Sequence, residues 1–262
     1  MTELGDQVAA PLTSAAGDPV GALVQAGSPG AALGERAFDL AITIMLGPLV
    51  AIVAALIAIA IYLDSPGPVL FRSRRVGRHG EPFEMLKFRK MRRDAPCHPV
   101  TLDDDERFTP IGRFLAASRL DELPQVINIL RGEMRLVGPR PELEQFVDQY
   151  PEQYREILAV TPGITGNAQL QFIDERWLLD CVDPATAYSE LVLPAKIEID
   201  IEYSRSHSLS GDLAILARTA LLPVAILRAR ARHSEAVRLW GPVAGAAVLL
   251  GVLFVLVSSQ LV

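Results

Sequence analysis

Leu40-Ala-Ile-Thr-Ile-Met-Leu-Gly-Pro-Leu-Val-Ala-Ile-Val-Ala-Ala-Leu-Ile-Ala-Ile-Ala-Ile-Tyr-Leu63 runs for 24 residues without a charged side chain. At ~1.5 Å per helical residue it matches the ~30 Å hydrocarbon core of a bilayer. A second charge-free run of the same length, Leu239 to Val262, closes the chain. The two runs raise the mean hydropathy to +0.27. Neither reads as a cleaved signal peptide. The first begins too late, has no basic n-region (Arg36 alone precedes it among acids) and leads into Asp64-Ser65-Pro66-Gly67-Pro68 instead of a small-residue cleavage site. The alternative, two core helices of a soluble protein, is disfavoured by their length without charge.

The flanking charges set an orientation. Arg72, Arg74, Arg75 and Arg78 follow the first run; Arg228, Arg230, Arg232, His233 and Arg238 precede the second. Positive flanks face the cytoplasm, so residues 65–238 are expected there and the C-terminus outside. Gly47-Pro48 interrupts the first run. Proline removes a backbone donor and bends a helix. Two readings stay open: a tolerated kink in a spanning helix, or a bend returning the helix to the face it entered.

The remaining composition narrows the function. Two cysteines, Cys97 and Cys181, exclude a disulfide scaffold, and the four histidines have no metal-ligand spacing. A net charge of −6 argues against nucleic acid as a partner. Within this acidic chain, Arg72 to Arg93 holds nine Lys or Arg against Glu81 and Glu84. Such a cluster suits anionic headgroups, a polyanionic substrate, or both.

Along the chain, residues 1–34 read as a mobile tail. Gly77 and Gly80 read as turns. Short helices are expected over Pro110–Ser118 and Leu123–Leu130, the second with Leu123, Val126, Ile127 and Leu130 on one stripe and Gly132 at its end. Glu142–Val160 has a helical pattern. Pro162-Gly163-Ile164-Thr165-Gly166 reads as a tight loop, residues 174–207 as mostly amphipathic helix, and Leu213–Leu227 as an apolar helix in the interface.

Arg119-Leu120-Asp121-Glu122-Leu123-Pro124-Gln125 is the most informative stretch. Adjacent carboxylates before a helix are ordinarily capping residues. The alternative is a carboxylate nucleophile beside a second acid that binds metal or moves a proton: an Asp can attack phosphorus to give an acyl phosphate. Mg²⁺ accepts carboxylate ligands and neutralises phosphate charge. Arg140, between Pro139 and Pro141, is either a stiff surface residue or a fixed guanidinium fork for phosphate.

The ordered set Ser65-Pro-Gly-Pro-Val-Leu-Phe-Arg72, Lys87-Phe-Arg-Lys-Met91, Leu120-Asp-Glu-Leu-Pro-Gln125, Gly132-Glu-Met134 with Val137-Gly-Pro-Arg-Pro141, and Pro162-Gly-Ile-Thr-Gly166 with Ala168-Gln169 resembles the bacterial sugar transferases. These are monotopic phosphoglycosyl transferases acting on polyprenyl phosphate. The resemblance covers about residues 35–222. It implies a mostly helical α/β catalytic domain over 65–212 on the cytoplasmic face of the bacterial inner membrane. A re-entrant, proline-bent helix at 35–64 (bend at Gly47 and Pro48) would precede the domain. An interfacial helix and basic linker at 213–238 would follow, then an added transmembrane helix at 239–262.

The resemblance also implies an activity. Asp121 attacks the β-phosphate of a UDP-sugar, UMP leaves, and polyprenyl phosphate takes the phosphosugar, starting a surface polysaccharide or glycoconjugate. Asp121 and Glu122 match the catalytic pair and the expected Mg²⁺ ligands. Lys87, Arg89 and Arg140 match basic positions expected to contact phosphate or nucleotide, Asp200 matches a further acid near the site, Arg119 is expected to stand in for the basic residue replaced by Ala116, and Gly163, Thr165 and Gln169 complete the expected substrate-binding set. The expected partners are a UDP-sugar, polyprenyl phosphate and the lipid bilayer, with a homo-oligomer left open. The family's usual basic residues are replaced by Ala116 and Thr161, which keeps a second reading in view: an inactive membrane-bound assembly scaffold. A third is a hydrolase in which water intercepts the phosphosugar.

Overall fold

One helix, α1 (Pro29–Asp64), takes up the first apolar run and carries Pro48 in its interior. It belongs to a computed structural model that describes residues 29–95, 105–172 and 184–231. The expected C-terminal span 239–262, the tail before residue 29 and the linker beyond residue 231 lie outside the described residues. The helix starts inside the stretch read as tail; proline suits a helix's first turn, and Ala31, Ala32 and Leu33 are good helix formers. Leu33–Asp64 is long and apolar enough to cross a membrane. Its outward side chains stay apolar: Ile44, Ile52, Leu56 and Leu63 are all more than half exposed. A surface of that kind needs a non-aqueous neighbour.

Both ends of α1 dock on the same globular unit. Near its start, Arg36 donates to the carbonyls of Ile129 (2.6 Å) and Leu130 (3.1 Å). Phe38 and Ile42 pack against Val137, Tyr203, Ile215 and Leu216. Near its end, Ile57 and Ile61 pack against Phe88 and Leu115, and the Asp64 carboxylate accepts from the Ile111 amide at 3.4 Å.

The basic stretch after α1 folds as a hairpin. β1 (Leu70–Val76) pairs antiparallel with β2 (Pro82–Phe88), Leu70 opposite Phe88 and Val76 opposite Pro82. A 3₁₀ turn, Arg78–Gly80, joins them, with Gly80 at φ 81° as a left-handed turn residue. Helix α2 (Pro110–Ser118) begins where expected. The Thr109 hydroxyl accepts from the Gly112 amide at 2.9 Å, and Pro110 takes the first turn.

Helix α3 (Gln125–Arg131) ends at Gly132, φ 83°, as expected. Half of its apolar stripe, however, is not on its buried side. Ile127 and Leu130 are exposed, while Gln125, Asn128 and Ile129 are buried. The open edge of β2 decides this. Asn128 Oδ1 accepts from the Leu86 amide (3.0 Å), and its Nδ2 donates to the Glu84 carbonyl (2.8 Å). Buried backbone groups need such partners, so Asn128 turns inward while Ile127 and Leu130 turn out.

Two further expectations are corrected. Pro162–Gly166 is no tight loop: β4 (Gly163–Thr165) lies extended and parallel to β3 (Arg135–Val137), with Arg135 opposite Gly163 and Val137 opposite Thr165. Glu142–Val160 is not one helix but two, α4 (Glu144–Val147) and α5 (Pro151–Ile157). Pro151 forces Tyr150 out of helical geometry (φ −132°, ψ 54°).

The chain continues through α6 (Asn167–Gln171), α7 (Pro184–Ala187), a π turn (Tyr188–Val192), α8 (Leu193–Ser206) and α9 (Leu209–Ala231). Phe146, Tyr154, Ile157, Tyr188, Val192, Leu193 and Ile197 form the core between α4, α5 and α8. The described residues are thus mostly helical with two small sheets, as expected. An ionic knot ties the ends together: Arg135 meets Glu35 (2.8 Å) and Asp39 (3.0 Å) of α1 and Asp212 (3.0 Å) of α9.

Candidate active site

Asp121 and Glu122 sit in a 3₁₀ turn, Leu120–Glu122, wedged between α2 and α3. Arg119 before it holds a left-handed conformation (φ 61°, ψ 10°), rare for a residue with a Cβ. That kink ends α2 and turns the two acids onto β2. The turn does not cap a helix with a carboxylate: Pro124 fills the position before α3, and no side-chain cap is made there or at the 3₁₀ turn. Capping therefore does not account for the pair.

Each acid meets its own cation. Lys90, just past β2, places Nζ 3.4 Å from Asp121 Oδ2. Lys87 places Nζ 3.4 Å from Glu122 Oε1. Arg140 grips Glu122 with both terminal nitrogens, Nη2 to Oε1 at 2.6 Å and Nη1 to Oε2 at 3.5 Å. Asp121 is buried, with 4% of its side chain accessible, whereas Lys90 keeps 27%.

This packing shifts the charges. Burial alone would raise the Glu122 carboxyl, but Arg140, Lys87 and Arg119 together hold it well below the usual carboxylate range. Burial lowers Lys87 to about 8, with Arg140 adding to the effect and Glu122 opposing it. The Arg140 guanidinium is pushed up, chiefly by Glu122. Glu122 is thus a fixed anion at neutral pH, and Lys87 is a cation whose charge is near its limit.

The Arg140 loop is aimed by a backbone-to-backbone approach. Gly138 donates its amide to the Thr165 carbonyl (2.9 Å), and Gly163 donates to the Pro139 carbonyl (2.9 Å). A Cβ on Gly163 would lie 2.1 Å from the Gly138 nitrogen, so no larger residue fits. Of the expected substrate contacts, Gly163 and Thr165 are placed in this scaffold: the Thr165 hydroxyl lies 2.8 Å from that of Thr219 on α9.

Other expected residues make different contacts. The Arg89 guanidinium donates to the Ser65 carbonyl in the turn after α1. Asp200, buried on α8, faces a polar cluster of Glu142, Arg75 and Tyr188 that adjoins Arg140, and Tyr188 donates to Glu142 at 2.7 Å. Burial and then the Glu142 charge raise Asp200 to about 8, against the pull of Lys196. Gln169 keeps both side-chain polar atoms buried without a partner among the described residues, as does Gln125. A cleft of about 410 Å³ beside Arg74, Arg75, Glu144 and Asp148 lies apart from the acid pair.

Sequence reasoning missed Lys90 and Arg135. Lys90 lay in plain view three residues after Lys87, but only the end of β2 brings both ammoniums onto one acid pair. Arg135 carried no motif at all.

No group of three or more His, Cys, Asp or Glu able to hold a metal occurs among the described residues, so an all-protein cage is absent there. Asp121 and Glu122 supply two carboxylates, the number Mg²⁺ takes when phosphate oxygens and water complete its shell.

Residues 31–225 match the family model described as bacterial sugar transferase. A UDP-glucose:undecaprenyl-phosphate glucose-1-phosphate transferase of Caulobacter vibrioides is 40% identical over 192 residues, covering 71% of this chain and 68% of the relative. A UDP-N-acetylgalactosamine-undecaprenyl-phosphate N-acetylgalactosaminephosphotransferase of Aeromonas hydrophila is 36% identical, covering 73% of this chain and 44% of the relative. A UDP-glucose:undecaprenyl-phosphate glucose-1-phosphate transferase of Escherichia coli is 37% identical, covering 71% and 39%. The chain therefore spans less than half the length of the last two.

Proposed function

The chain belongs to the bacterial sugar transferase family, and on that premise we propose that it moves a sugar phosphate from a UDP-sugar to polyprenyl phosphate at the cytoplasmic face of the inner membrane, initiating glycan assembly. The observation that carries this reading is the acid pair itself: two adjacent carboxylates in a cationic setting, one buried beside a single ammonium, on a domain anchored by an apolar helix.

Asp121 is the nucleophile. Its carboxylate oxygen bonds to the β-phosphorus, and the bond from that phosphorus to the bridging oxygen breaks, its electron pair leaving with UMP. The acceptor phosphate then attacks the same phosphorus and the Asp121–phosphorus bond breaks. The sugar's own C1–O bond stays intact. Lys87 and Arg140, both beside the acid pair, would supply counter-charge to the diphosphate oxygens. Glu122, held ionised, anchors those two cations and is a poor proton donor. Asp121 and Glu122 would hold Mg²⁺, which supplies charge neutralisation at the phosphates.

The re-entrant reading of α1 draws on its two docked ends. A helix that spans places its ends on opposite faces, yet Arg36 and Asp64 both bind one globular unit. A bend at Gly47-Pro48 reconciles that docking with the exposed apolar middle. The test of function is UMP release from a panel of UDP-sugars with polyprenyl phosphate and Mg²⁺. Release with a particular sugar, absent in Asp121→Asn, is expected; no release with any donor would overturn the reading.

A further inference from the structure

Asp121 and Glu122 differ in the company they keep. Glu122 is clasped by Lys87 and Arg140, both largely buried. Asp121 meets Lys90, whose side chain is the more open of the two lysines, 27% against 12%. The Lys90 backbone cannot drift. Its carbonyl accepts from the Thr109 amide at 3.1 Å, and a Cβ on Gly112 would stand 1.8 Å from that oxygen. The ammonium also lies 5.8 Å from the centre of the Phe108 ring. Thus a fixed backbone delivers one ammonium to one carboxylate oxygen of Asp121.

We propose that Lys90 is a catalytic residue of the second half-reaction, stabilising the Asp121 carboxylate as it leaves phosphorus. This rests on the reading of Asp121 as nucleophile. Forming the acyl phosphate removes the charge that Lys90 faces, because the carboxylate electron pair becomes the new O–P bond. Attack by an oxygen of the acceptor phosphate dianion returns that pair to Asp121 Oδ as the O–P bond breaks. UMP has already departed with the bridging oxygen, and no proton changes hands. An ammonium at the carboxylate therefore favours the free acid's anion over the adduct. It makes Asp121 a poorer nucleophile and a better leaving group. The partial exposure of Lys90 leaves it room to follow the phosphoryl oxygens between the two steps.

The experiment separates the halves in the full chain, reconstituted in nanodiscs, with a UDP-sugar that the wild type uses. UMP burst and intact mass are read first without acceptor, then after adding polyprenyl phosphate. In Lys90→Gln the burst should persist within about threefold, while discharge of the adduct slows by about tenfold or more, on the low side for loss of one charge at a reacting oxygen. The adduct should accumulate at steady state, and Lys90→Arg should recover most of the discharge rate. Equal losses in burst and discharge would reduce Lys90 to donor binding and overturn the proposal, as would discharge at the wild-type rate. A wild type without any adduct would instead sink the Asp121 reading. A melting temperature of Lys90→Gln close to wild type guards against misfolding as the cause.

Discussion

Replacing Arg135 by Met should uncouple the membrane helix from the catalytic domain. The guanidinium meets three carboxylates at 2.8–3.0 Å, and two of them, Asp39 and Asp212, have only 1% of their side chains accessible. At an effective dielectric of ~20 each contact carries roughly 5–6 kcal/mol of gross attraction. Desolvating four charges offsets most of that, so the knot itself adds little net stability. Truncation is another matter, because it strands two buried anions. Removing one partner of a buried pair costs about 3–5 kcal/mol, a large share of the ~5–15 kcal/mol that holds a domain together. At about 2–4 °C per kcal/mol for a chain of this size, the melting temperature should fall by roughly 6–20 °C. The assay is thermal unfolding of the full chain in detergent, comparing Arg135→Met alone with Arg135→Met combined with Asp39→Asn and Asp212→Asn. The combination should recover at least about half the loss, since the stranded charges are gone. A fall under about 3 °C in the single variant, or no recovery in the combination, would refute this reasoning.

Three other outcomes follow from the geometry. Lys87, lowered to about 8 by burial, loses its charge as pH rises through that value; kcat/KM for the donor should decline above about pH 8, and Lys87→Arg should carry the plateau higher. Asp200, raised to about 8 by burial and Glu142, stays protonated when folded but ionises at its ordinary pKa when unfolded. The wild type therefore loses stability as pH climbs from about 4 to about 8, and Asp200→Asn should gain relative stability across that window and no further above it, read by melting temperature against pH. Gly163→Ala should abolish activity and lower the melting temperature, because its Cβ meets Gly138 backbone at 2.1 Å and must push the Arg140 loop aside; near-normal activity would mean that loop is not fixed as described.

Local signals carried much of the fold. A charge-free run became α1, Thr109-Pro110 opened α2, and Gly132 closed α3. Failures came where a long-range partner overrode the local pattern. Half of the α3 stripe turned outward because Asn128 was needed at the β2 edge; Gly163–Thr165 became a strand because β3, distant in sequence, offered a ladder. At the site, the motif singled out Asp121, Glu122, Lys87 and Arg140, and these converge. Gly163 and Thr165 also shape the scaffold, since a glycine motif at close backbone approach looks the same in sequence as one that cradles a phosphate. Arg135 was illegible because its partners come from α1 and α9, far apart in the chain.

The central claim is that Asp121 carries the phosphosugar. Its most direct test is intact-protein and peptide mass measurement after incubating the full chain with a UDP-sugar and Mg²⁺ but no acceptor. The account predicts one sugar phosphate per chain, localised to Asp121, with equimolar UMP and neither in Asp121→Asn. An adduct that survives in Asp121→Asn, or UMP release that requires the acceptor and leaves the protein unmodified, would contradict it.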